Sequence, residues 1–190
     1  MRGPLAIALL AAGKASRFGG GKLDANLRGK RLGRHALDAA VALDQGPVLV
    51  VTGDPVPAFA TEAGALAEVL PNPRASEGLG TSVADAARQA AEEGSLALLL
   101  LAADMPLVSE HTLRRLVDAC APGIPSAVRH TDGHPGIPAC FPREWFEALQ
   151  GLDGDRGAGA LLRRADGMRT IAVPDRELAD VDRPDDLAQV

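Results

Sequence analysis

The chain has 190 residues, 46% of them hydrophobic and 24% charged, with a formal net charge of -5. That length buries a core without disulfides or a structural metal, and the acidic balance leaves no basic footprint for nucleic acid or an anionic membrane. Cys120 and Cys140 show neither a C-x-x-C spacing nor a nearby histidine cluster, which reads as two buried thiols in a reducing cytoplasm.

The first apolar run, Leu5–Leu10, extends to Ala12 and is too short to span a bilayer. Its weakly charged start reads as a buried strand rather than a signal peptide. Leu32–Leu43 spaces its apolar residues by three and four, as a helix does. Pro47–Thr52 is a second buried strand and Glu68–Leu70 a short one. Thr81–Glu93 is an Ala-rich helix with Thr81 or Ser82 as its cap. The strand Leu96–Ala102 follows, then a helix over Ser109–Cys120 capped by Ser109. Short strands are expected at Ser126–Arg129 and Ile137–Phe141, and a helix over Pro142–Leu149 with proline in its first position. Gly157–Arg164 reads as a short helix, Arg169–Val173 as a last strand and Asp185–Gln189 as a final turn.

Continuous apolar strands are covered on both faces, so the alternation of strands and helices predicts an α/β fold around a mostly parallel sheet. No repeat or linker divides the sequence, and one domain over residues 1–190 is expected. Ligands of such sheets gather at the carboxyl ends of the strands. The loops after Leu10, Thr52, Leu70 and Ala102 are therefore the candidates for chemistry.

The loop from Gly13 to Lys22 carries four glycines, which let backbone N–H groups turn toward one anion. Arg17 can grip phosphate oxygens in pairs, and Lys22 offers a compact charge. A Walker A loop would need glycine at Ser16 and Ser or Thr at Leu23. A dinucleotide fingerprint would need glycine at Ala15. At the end of Leu98–Ala103 stands Asp104, a carboxylate suited to Mg²⁺ or, equally, to capping a turn. Asp180 and Asp182 alternate along an extended segment and could face one ion together; Asp182 could also cap the last turn. Gly78 and Gly80 precede a helix whose N-terminus can receive an anion or a base edge. His134 lies in Gly133-His134-Pro135-Gly136, a turn unless it covers the same pocket.

Together these segments resemble the molybdenum cofactor nucleotidyltransferases, the MobA-like NTP transferases, over nearly the whole chain. The matching pieces are Leu10-Ala11-Ala12-Gly13 with Arg17-Phe18-Gly19 and Lys22, Asn72 with Gly78-Leu79-Gly80-Thr81-Ser82, and Ala103-Asp104-Met105-Pro106. Gly133-His134-Pro135, Gly154-Asp155-Arg156-Gly157-Ala158 and Asp180-Val181-Asp182-Arg183-Pro184-Asp185 follow in the family's order. Leu-Ala-Ala-Gly looks like the cytidylyl-transferring branch, the guanylyl branch tending to Leu-Ala-Gly-Gly. The chain departs from the pattern where Gly136-Ile137-Pro138 interrupts the expected strand, where Thr131 and Asp132 replace a basic residue, and in the polar run Leu23-Asp24-Ala25-Asn26.

The resemblance implies a Rossmann-like three-layer αβα nucleotidyltransferase fold. It implies transfer of CMP from CTP, or GMP from GTP, to the terminal phosphate of molybdopterin, with release of pyrophosphate. Arg17, Lys22 and Asp104 would be catalytic, and Asp104 with Asp182 would hold Mg²⁺. Leu10, Ala11, Ala12, Gly13, Arg17, Lys22, Asn72, Gly78, Gly80, Thr81 and Ser82 would bind the nucleotide. His134 and Asp155 would meet the acceptor, and the finished cofactor would pass to a molybdoenzyme or its chaperone. Another phosphorylated acceptor, or a non-catalytic cofactor-binding role, remains as the alternative.

Overall fold

The computed structural model describes residues 4–190. The first strand, β1 (Leu5–Ala11), is buried along its whole length. A glycine-rich loop leads to a hairpin of β2 (Asn26–Leu27) and β3 (Lys30–Arg31), then to α1 (Leu32–Ala42). The chain continues through β4 (Val48–Thr52), α2 (Ala58–Thr61), β5 (Glu68–Pro71), α3 (Leu79–Glu92), β6 (Ala97–Ala102) and α4 (Glu110–Ala119). It ends with β7 (Ser126–Arg129), β8 (Pro135–Pro142), α5 (Phe146–Gln150), α6 (Gly159–Leu162) and β9 (Arg169–Ile171).

Seven strands form one sheet in the order β5-β4-β1-β6-β8-β7-β9. β8 runs antiparallel to both neighbours, and the other pairings are parallel. Successive side chains of a strand point to opposite faces. Ile7 and Leu9 accordingly join a core with Leu37 of α1 and Leu113 of α4, while Ala6, Ala8 and Leu10 join one with Val83 of α3 and Phe146 of α5. Each face of β1 has its own helical layer, which is why the strand reads as an unbroken apolar run. This is the three-layer αβα arrangement of the nucleotide-diphospho-sugar transferase fold. The chain moves from β1 outward to β4 and β5, then returns to place β6 on the other side of β1. That reversal opens a crevice at the carboxyl end of β1.

Several elements differ from the sequence reading. α3 starts at Leu79 with Gly78 as its cap, so Thr81 and Ser82 lie inside the first turn instead of capping it. Pro142 ends β8 opposite Ala97, and a 3₁₀ turn over Arg143–Trp145 precedes α5; the pairing of β8 with β6 claims the proline before a helix can. Gly136-Ile137-Pro138 does not interrupt β8, because a register shift between Ala127 and Val128 of β7 absorbs the irregularity. The final turn is a 3₁₀ helix, Pro184–Ala188. Ser109 caps α4 as expected, accepting the Thr112 N–H at 3.2 Å. Among the described residues no helix is long and apolar enough to cross a membrane.

Candidate active site

The loop leaving β1 is shaped by three consecutive glycines, Gly19, Gly20 and Gly21, at φ 89°, 99° and 61°. Side chains rarely tolerate that region, and here it occurs three times running. The N–H groups of Phe18 and Gly20 both donate to the carbonyl of Ala15, at 3.0 and 3.2 Å, so the loop folds back on itself. Phe18 packs against the core and pulls the loop inward. The chain then enters a 3₁₀ turn, Lys22–Asp24, with Lys22 only 8% exposed.

A buried ammonium needs anionic partners. Lys22 Nζ donates to Asp104 Oδ2 at 2.7 Å and reaches Asp182 Oδ1 at 3.5 Å. Arg17, on the outer side of the loop, donates to Asp182 Oδ2 at 2.9 Å. Asp104 lies just beyond β6, where the Ala103 N–H donates to the Leu10 carbonyl at 3.0 Å and ties this loop to β1. The Val181 N–H donates to the Asp104 carbonyl at 3.0 Å, which docks the C-terminal segment onto the same loop. Four residues from three segments distant in sequence thus converge at the carboxyl end of β1.

Asp182, not Asp180, makes the contacts with Lys22 and Arg17. Partial burial, with the charges of Asp104 and Asp182 nearby, holds the Asp180 carboxyl above the usual carboxylate range. Asp104 and Asp182 present oxygen donors around one cationic position, a set that fits a hard divalent ion. Among the described residues no cluster of three or more His, Cys, Asp or Glu side chains forms a metal cage. Two carboxylates completed by substrate phosphates and water is the usual manner of Mg²⁺ binding.

Two cavities flank the carboxyl end of β1. The larger, about 540 Å³, is lined by Ala11 to Ala15, Lys22, the Gly53-Asp54 loop after β4, and Asn72. The smaller, about 250 Å³, is lined by Leu10, Leu79, Val83, His134, Ile137 and Arg163. Leu10 and Ala11 are neighbours on one strand and so face opposite cavities.

Of the expected nucleotide residues, Ala11, Ala12, Gly13, Lys22 and Asn72 line the larger cavity, while Leu10 belongs to the smaller. Arg17, Gly78, Gly80, Thr81 and Ser82 line neither. The Asn72 amide donates to the Thr81 and Ser82 hydroxyls at 2.8 and 3.0 Å, and its oxygen accepts the Arg74 N–H at 2.8 Å. This buried network supports Asn72 in the cavity wall and occupies the two hydroxyls in hydrogen bonds. A Cβ on Gly78 would lie 2.3 Å from the Gly154 carbonyl oxygen, and one on Gly80 2.5 Å from that of Asp153. The Gly80 N–H donates to the Gly154 carbonyl at 2.8 Å. The start of α3, expected to be open to an anion, is therefore closed by the loop over residues 153–156. Asp155 belongs to that closing loop and is exposed, outside the lining of the smaller cavity. His134 does line it, on a tight turn in which its N–H donates to Asp132 Oδ1 at 2.9 Å.

Sequence reasoning passed over other cavity residues. Asp54 lines the larger cavity, as does Asp24, whose carboxylate accepts the N–H groups of Ala58 and Phe59, both at 2.8 Å. Thr52, paired in register with Ala11, buries a hydroxyl with no hydrogen-bond partner among the described residues. The loop after Thr52 was a candidate by its place at the carboxyl end of a strand, though no motif singled out Asp54 within it. Arg163 and His130 complete the smaller cavity.

A mostly parallel sheet whose strand order reverses at β1, a glycine loop delivering a buried lysine, and two carboxylates beside it make up a crevice of the αβα class. The chain belongs to the MobA-like NTP transferase domain family, whose model matches residues 7–169. It is 33% identical to the purine catabolism protein PucB of Bacillus subtilis, the alignment covering 100% of this chain and 98% of that one. It is 29% identical to a probable molybdenum cofactor guanylyltransferase of Opitutus terrae, over 96% of this chain and 92% of the relative. A nucleotidyl transferase from Methanothermobacter superposes with a TM-score of 0.84 at 20% identity, covering 98% of this chain and 95% of that structure.

Proposed function

We propose that this protein, as one domain over residues 1–190, transfers CMP from CTP to the terminal phosphate of molybdopterin or the molybdenum cofactor and releases pyrophosphate. The observation that carries the reading is the convergence of Asp104 and Asp182 on Lys22, which itself lines the larger cavity. The larger cavity has the volume and loop amides for a nucleotide. The smaller has an apolar floor with His134 and Arg163 at its polar edge, suited to an acceptor with a flat body.

An oxygen of the acceptor phosphate attacks the α-phosphorus of the nucleotide. The bond from that phosphorus to the oxygen bridging to the β-phosphate breaks, and pyrophosphate leaves with the electron pair. The protein's part is alignment and charge neutralisation. The loop amides and Arg17 hold the β- and γ-phosphates, and Lys22 stabilises charge developing at the α-phosphate. Asp104 and Asp182 would hold Mg²⁺, which would supply positive charge against the phosphates. For that to happen Lys22 and Arg17 turn from the carboxylates to the phosphates.

Ala12 in Leu-Ala-Ala-Gly supports CTP. The relative named a guanylyltransferase keeps GTP as the second candidate. The relative named for purine catabolism favours a purine-degrading molybdoenzyme as the client. Pyrophosphate release with CTP, GTP or ATP, Mg²⁺ and purified molybdenum cofactor tests the reading. CTP should be fastest. Release with a sugar or polyol phosphate but not with the cofactor would move the acceptor, and no release with any acceptor would leave a cofactor-binding accessory protein.

A further inference from the structure

The segment that brings Asp182 to the site has no regular structure of its own. It lies between two 3₁₀ turns, Asp175–Leu178 and Pro184–Ala188, so its course depends on individual fastenings. Upstream, one oxygen of Glu177 accepts the Ser109 N–H at 3.1 Å, the Ser109 hydroxyl at 2.8 Å and the Thr112 hydroxyl at 2.7 Å, which pins the segment to the start of α4. In the middle, Val181 is fully buried and its N–H meets the Asp104 carbonyl. These two fastenings fix the path of the backbone up to Val181. They leave open the direction in which the next side chain departs.

That direction is set from downstream. Oδ2 of Asp186 accepts the backbone N–H groups of both Asp182, at 2.8 Å, and Arg183, at 2.7 Å. The 3₁₀ turn already has its own bond, Asp186 N–H to the Arg183 carbonyl at 3.1 Å. The bond to Asp182 reaches one residue farther back than a cap of that turn requires. The Asp182 carboxylate, meanwhile, faces Lys22 and Arg17. Asp186 thus holds the backbone of Asp182 while the side chain points at the reacting centre.

We propose that Asp186 is a positioning residue for the metal-binding carboxylate, fixing the Asp182 peptide so that its side chain is directed toward Asp104. The proposal rests on the reading above that Asp104 and Asp182 share a divalent cation. Removing a group that orients a metal ligand typically costs about 10–100-fold in metal affinity.

The test is Mn²⁺ titration of the full chain with CTP present, followed by electron paramagnetic resonance. Asp186→Ala should weaken Mn²⁺ binding about 10–100-fold. Asp186→Asn, whose amide oxygen can accept the same two N–H groups, should restore most of the affinity. Asp182→Ala should lose at least as much as Asp186→Ala, and the double variant no more than Asp182→Ala alone, because two residues acting through one ligand are not additive. Should Asp186→Ala melt at the assay temperature, Asp186→Glu takes its place, its longer arm displacing the acceptor while keeping the charge. Wild-type affinity in Asp186→Ala, or in Asp186→Glu where it stands in, would overturn the proposal, as would a loss of the same size in the Asp182→Ala background. Normal Mn²⁺ binding by Asp182→Ala would instead locate the failure in the metal reading of Asp182, and the proposal would fall with it.

Discussion

Lys22 and Asp104 stand 82 residues apart in sequence and 2.7 Å apart in space, an ammonium 8% exposed against a carboxylate delivered by a different strand. Removing the lysine should cost about 10²–10³-fold in turnover, as loss of one transition-state donor does. Asp104→Ala should remove activation by Mg²⁺ and also destabilise the fold, since the buried ammonium keeps only Asp182 at 3.5 Å. The loss should fall below the roughly 3–5 kcal/mol of a fully buried pair, because the Asp104 side chain retains 26% exposure. Steady-state kinetics over a Mg²⁺ series and denaturant titration check both. A Lys22→Ala variant with normal turnover would remove it from the transition state.

Arg17 and Asp182 form the opposite kind of pair, with side chains 71% and 43% exposed. Such contacts contribute about 0–1 kcal/mol. Arg17→Ala should therefore melt like the wild type while binding pyrophosphate and CTP more weakly. Isothermal calorimetry with each ligand, beside a melting curve, separates the two effects.

Gly78 and Gly80 face a backbone wall, not open space. Gly80→Ala would set a Cβ 2.5 Å from the Asp153 carbonyl oxygen, and Gly78→Ala adds strain at φ 134°. Overpacking of this kind costs about 1–3 kcal/mol. Both variants should lower the melting temperature. Ala12→Gly, by contrast, should leave stability nearly unchanged and narrow the preference for CTP over GTP, read by calorimetry with each nucleotide.

Glu177 links pH to the docking of the C-terminal segment. Burial raises its carboxyl pKa, but hydrogen bonds from Thr112 and Ser109 outweigh burial and hold it below the ordinary range. A depressed carboxylate contributes its stability above the unfolded value and loses it as pH falls through the folded one. Wild-type stability should thus decline in acid, below the ordinary carboxylate range. Glu177→Gln should be less stable at neutral pH and show a shallower acid slope. Denaturant midpoints across pH would read both, and identical slopes would remove Glu177 from this role.

The buried strands were plain in the sequence because each carries a continuous apolar run, and the sheet follows from their alternation with helices. The hairpin at Asn26–Arg31 and the four-residue α2 were not, since elements that short carry no periodicity. Lys22 and Asp104 stood out as charges ending apolar strands or following glycines. The role of Gly78 and Gly80 did not: a glycine admitting a ligand and a glycine admitting the loop over residues 153–156 look the same in sequence. Only the packing of that loop shows what the missing side chain makes room for. Asp182 was not separable from Asp180 for a similar reason, since the course of the backbone there is fixed by the contacts of Val181 and Asp186 rather than by alternation alone.

Following a radiolabel on the α-phosphate of CTP, in parallel with one on the γ-phosphate, is the most direct test of nucleotidyl transfer. With purified molybdenum cofactor and Mg²⁺, the α-label should appear in the cofactor and the γ-label in pyrophosphate, and neither transfer should occur with Asp104→Ala. A γ-label in the cofactor, or an α-label that stays with the nucleotide under every acceptor, would contradict it.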